Sequence, residues 1–93
     1  MIIGVMTATL SLPGVTSLKG KRSIVKSLIG RLKSRFNISI SEVDRQDIRT
    51  SAVLGIAVVS NDARFIDQQF DSIINFMNND GRFFIVNIER EKF

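Results

Sequence analysis

The sequence predicts one α+β domain in the order βαββαβ: a four-stranded antiparallel sheet with both helices on one face. Three observations carry this. The spacing of apolar residues changes from period two to about 3.6 and back, twice along the chain. Every junction is short and marked by turn or capping residues. The first and third strands, which this order makes central, are the two most apolar segments. With 93 residues, 44% of them hydrophobic and 24% charged, the chain reads as a single folded domain over 1–93 with a modest core.

Residues 2–12 alternate. Ile2, Met6, Ala8, Leu10 and Leu12 share one face with Gly4, while Ile3, Val5, Thr7, Thr9 and Ser11 share the other. That is a half-buried strand, ended by Pro13-Gly14. Residues 18–36 take helical spacing through Leu18, Val25, Leu28, Ile29, Leu32 and Phe36, with Ile24 at the margin and Ser17 placed as N-cap. Residues 38–44 form a weaker strand, followed by a polar turn at 45–51. Residues 52–59 are apolar on both faces, as a central strand should be. Ser60-Asn61-Asp62 opens a second helix running to about Asn79, with Ala63, Ile66, Phe70, Ile73, Ile74 and Met77 on one face. Asp80-Gly81 is a stop and turn. Residues 82–90 alternate again, Phe84, Val86 and Ile88 against Phe83, Ile85 and Asn87.

This order is that of the ferredoxin-like fold; the rival is an open α+β sheet with another strand order. The predicted core contains Leu10, Leu28, Leu54, Ile56, Phe70, Ile73 and Val86. The far face of the sheet then carries Ile3, Val5, Val53, Ala57, Val59, Phe83 and Ile85, apolar enough that homodimerisation through it or through an edge strand is expected.

Much chemistry is excluded. Without Cys or His there is no disulfide, no Cys or His metal site and no triad built on His. Glu42, Asp44 and Asp47 read as solvated turn charges beside Arg45 and Arg49, so neither a metal nor a cofactor is expected. Gly14 and Gly20 match no phosphate-loop pattern. The central strands lack the aromatics on which sheet-face RNA binders stack bases. A non-enzymatic protein is expected. The apolar run at Met1–Leu12 is too short to cross a bilayer and has no basic residues before it, so a cytoplasmic protein without membrane contact is expected.

Charge gives the one positive signal. The net charge is +4, yet residues 1–41 hold seven basic side chains and no acidic one, while residues 42–93 hold six basic and nine acidic. All seven lie in the first helix. Lys19, Arg22, Lys26 and Lys33 form one stripe; Arg31 and Arg35 lie on the other flank of the apolar face. Lys19, Lys21 and Arg22 stand near the helix start, against the macrodipole. An anion held by Lys19, Lys21, Arg22, Lys26 and Lys33 with the free N–H groups after Ser17 explains that choice; a solubilising helix is the alternative. On the second helix Phe65 and Phe76 lie off the apolar face, either as a partner-contact stripe or packed against the first helix.

The run Ser17-Leu18-Lys19-x-Lys21-Arg22, the segment Phe36–Val43, Gln46-Asp47, the segment Ala52–Asp62 and the final Val86–Glu91 resemble the YlxP-like family of small bacterial proteins over nearly the whole chain. The resemblance implies a ferredoxin-like domain of unknown function. Its genes often stand beside those of a translation initiation factor and a ribosome-binding factor, which implies a role near the ribosome. Relatives commonly have Glu where Gly20 stands and an aromatic where Arg49 stands. The expected function is thus an RNA- or ribosome-associated accessory protein. The alternative is a homodimeric interaction or ligand-sensing module.

Overall fold

A computed structural model describes residues 1–93. Its elements are β1 (Ile2–Ser11), α1 (Leu18–Arg35), β2 (Ser39–Asp44), β3 (Ser51–Ser60), α2 (Ala63–Asn78) and β4 (Phe84–Lys92). The antiparallel sheet has the order β2-β3-β1-β4. This is the ferredoxin-like arrangement, with the two most apolar strands central.

β1 and β3 pair without interruption from Ile2↔Ser60 to Ser11↔Ser51. Their alternation sends Met6, Ala8, Leu10, Leu54, Ile56 and Val58 toward the helices. Val25, Leu28 and Leu32 of α1 and Ile66, Phe70, Ile73 and Met77 of α2 complete the core. At Gly4 a side chain would collide with Ile66 and lie 3.2 Å from the Phe70 ring, so glycine lets α2 approach the strand. Both helices start on side-chain caps. The Gly20 N–H donates to Ser17 Oγ at 3.0 Å, and the Arg64 N–H to Asp62 Oδ1 at 2.9 Å.

β4 departs from the expectation. Thr9 pairs with Asn87 but Leu10 pairs with Ile85, leaving Val86 as the extra residue of a bulge. One inserted residue reverses the alternation. Ile85 and Ile88 therefore both face the helices, and Phe83, just before the strand, is buried with them. Phe84 and Val86 are instead 65% and 60% exposed. The expectation of Val86 in the core, with Phe83 and Ile85 on the open face, is corrected by this bulge. The open face does carry Ile3, Val5, Val53, Ala57 and Val59, joined by Phe84 and, on β4, by Glu89 and Glu91. No helix is long and apolar enough to cross a membrane.

Candidate nucleic-acid interface

α1 presents three faces with three fates. Its core stripe begins not with a hydrophobic residue but with Lys21, which is 0% exposed. The Lys21 ammonium donates to the carbonyls of Arg45 and Ile48, each at 2.6 Å, and lies 2.9 Å from Glu42 Oε2. Arg45 stands in the left-handed region at φ 58°. Lys21 thus ties the β2–β3 connection to the start of α1. It is withdrawn from the exposed anion site in which the sequence placed it. The physical reason is that two carbonyls of one loop and the carboxylate of one strand compensate the buried charge. A sequence signal existed: Lys21 stands four and seven residues before Val25 and Leu28, on the apolar stripe.

The second face keeps Lys19, Arg22, Lys26 and Lys33 in water. Arg22 has one long contact, 3.7 Å to the highly exposed Asp47. Lys19, Lys26 and Lys33 have no carboxylate within 4.0 Å. From Lys19 to Lys33 the stripe is about 21 Å long at the usual helical rise. At its start Ser17 is already engaged as a cap: its side chain accepts from Gly20 and its carbonyl from the Lys21 N–H at 3.1 Å. The first-turn N–H groups of Leu18 and Lys19 are left without such partners.

The third face meets α2. Arg31 and Arg35 hold their guanidinium groups over the Phe76 ring, 5.2 and 4.8 Å from its centroid. Phe36 meets the same ring edge-on at 6.5 Å. Phe76, partly buried, therefore packs against α1, while Phe65 remains exposed. The two off-face features of the helices, read separately in the sequence, point at each other. Beside them lies Asp80, whose side chain is 1% exposed. Arg82 grips it through Nε at 2.6 Å and Nη2 at 2.7 Å, and Arg31 approaches at 3.7 Å. The Arg82 hydrogen bonds hold the Asp80 carboxyl below the usual carboxylate range, against the opposing effect of burial.

No group of His, Cys, Asp and Glu side chains is arranged to hold a metal ion. The surface offers exposed cations to anions.

Comparison with known proteins agrees with the fold. Residues 3–90 match the model of a family described as "Protein of unknown function (DUF503)". The "Uncharacterized protein YlxP" of Bacillus subtilis (strain 168) is 34% identical over 62 residues, 67% of each chain. Among solved structures, the de novo designed protein Foldit4 superposes with a TM-score of 0.56 at 12% identity, over 100% of this chain and 97% of that one. A dimeric ferredoxin-like protein from an uncultured marine organism gives 0.46 at 9% identity, over 100% and 94% of the two chains.

Proposed function

Because the chain belongs to the DUF503 family of proteins of unknown function, its role has to be argued from its surface, and we propose that it is a non-enzymatic accessory protein that binds the phosphate backbone of RNA, free or within a ribosome, through α1. The observation that carries this reading is the unpaired stripe: Lys19, Lys26 and Lys33 on one exposed helix face, with Arg22 beside them and no carboxylate to neutralise the lysines. Phosphate contacts of this kind position a partner without reading its bases. If about three phosphates are neutralised, log affinity for single-stranded RNA falls with log salt at a slope near −2.

Fluorescence anisotropy with a labelled single-stranded RNA at several salt concentrations tests this. Lys19→Glu combined with Lys26→Glu should weaken binding to all sequences alike and flatten the slope by about one unit or more. Arg64→Glu, an exposed change at the start of α2, should do little. Arg64 has no carboxylate within 4.0 Å, so its loss breaks no ion pair. Equal losses from both sites, or no binding at low salt, would sink the proposal.

A second reading, a homodimer through the open sheet face, is favoured by Val59 standing exposed beside Ile3 and Val5, with Phe84 exposed at the opposite end of the same face. Light scattering on the wild type and on Val5→Lys decides it: a monomeric wild type, or a dimer that survives the substitution, removes the open-face version.

A further inference from the structure

We propose that the cleft between the C-terminal halves of α1 and α2 binds a small phosphorylated ligand of nucleotide size, with the phosphate held by Arg31 and Arg35. This site lies on the opposite flank of α1 from the lysine stripe and does not depend on the RNA reading.

The cleft encloses about 640 Å³ and opens to solvent. That volume falls within the range of small-ligand sites, roughly 300–1,000 Å³. Phe36 and Phe76 are its only apolar walls. The rest is polar, which disfavours a lipid or other greasy ligand. Arg31 and Arg35 are one helical turn apart, and both are held over the Phe76 ring. A guanidinium over an aromatic face can still offer its N–H edge to an anion. Arg35 has no carboxylate within 4.0 Å. Arg31 has only the 3.7 Å approach to Asp80, and that carboxylate is already engaged by two short bonds from Arg82. Two guanidinium groups with donors to spare therefore line the cleft. Forked donors match the oxygens of phosphate better than a point charge does.

The remaining lining chooses among anions. Asn75 and Asn79 line the cleft, and neither side-chain amide makes a hydrogen bond within the protein. Each amide offers both donors and acceptors. That suits the hydroxyl groups or base edge of a nucleotide, whereas a bare inorganic anion has no use for the donors and acceptors together. Asp80 does not spoil the site for anions, because its charge is balanced within the wall by Arg82.

Isothermal titration calorimetry with ADP and with adenosine tests the proposal. ADP should bind and adenosine should bind at least about tenfold more weakly, the factor expected for losing one charge-assisted contact. Arg35→Gln should weaken ADP about tenfold or more, and Arg31→Gln provides a second variant should the first fold poorly. Arg35→Lys should fail to restore the affinity, since an ammonium cannot reproduce the fork. The Lys19→Glu and Lys26→Glu pair, which disables the proposed RNA surface, should change ADP affinity less than about twofold. No heat from ADP at millimolar concentration, adenosine binding as well as ADP, full rescue by lysine at position 35, or equal loss from the lysine-stripe pair would each overturn the proposal. Retained RNA binding in Arg35→Gln separates its failure from that of the RNA reading.

Discussion

Replacing Lys21 by Met should destabilise the domain by about 2–4 kcal/mol, even though the position lies within a basic, superficially solvent-facing run. Met keeps most of the stem's volume, so the loss isolates the ammonium. Its removal orphans the Ile48 carbonyl, leaves the Arg45 carbonyl with only the Ile48 N–H at 3.0 Å, and strips the Glu42 carboxylate, 15% exposed, of its cation. Hydrogen bonds to charged groups contribute about 1.5–3 kcal/mol, and breaking a buried pair costs about 3–5 kcal/mol. The exposed 45–50 segment can open to let water reach both carbonyls, which brings the expected loss below the simple sum. Against a total stability of about 5–15 kcal/mol this is a large fraction. Adding Glu42→Gln should recover about 1 kcal/mol or more, because removing both partners avoids the stranded charge. Urea unfolding followed by circular dichroism reads both numbers from midpoint and slope. A loss under about 0.5 kcal/mol for Lys21→Met, the size of an ordinary surface change, would refute the reasoning. A double variant no better than the single would refute the pairing with Glu42.

Two further predictions test the rest of the fold. Leu28→Ala, at a fully buried core position, should cost about 2–5 kcal/mol in the same assay, whereas Val86→Ala on the bulge should cost under about 0.5 kcal/mol. Comparable losses would mean that β4 is not bulged as described. Asp80 should contribute to acid sensitivity. Its folded pKa is lower than its unfolded value near 3.8, so its stabilisation is present above that value and is lost as pH falls through the folded one. The stability gap between wild type and Asp80→Asn should therefore be widest near neutral pH and narrow below about pH 4. A gap unchanged down to pH 2 would contradict the role given to Arg82.

Patterns confined to one element are legible in the chain itself. Alternation along 2–12, the doubly apolar run at 52–59, the cap Ser17 and the capping run Ser60-Asn61-Asp62 dictate which segments are strands and helices. Composition then places the two most apolar strands centrally. The stripe of Lys19, Arg22, Lys26 and Lys33 follows from helical geometry alone. Where sequence reasoning fails, the deciding partner lies elsewhere in the chain. Lys21 looks like a solvated cation until the 45–48 carbonyls and Glu42 converge on it from 21 to 27 residues away. The faces of Phe83, Ile85 and Val86 depend on a bulge against β1, which alternation within β4 cannot reveal. Arg31, Arg35 and Phe76 acquire meaning only when α1 and α2 are laid side by side. Periodicity says which face of an element seeks burial. What compensates a buried charge, or shifts a strand by one residue, is decided by groups that only tertiary packing brings within reach, because hydrogen bonds and ion pairs act over a few ångströms.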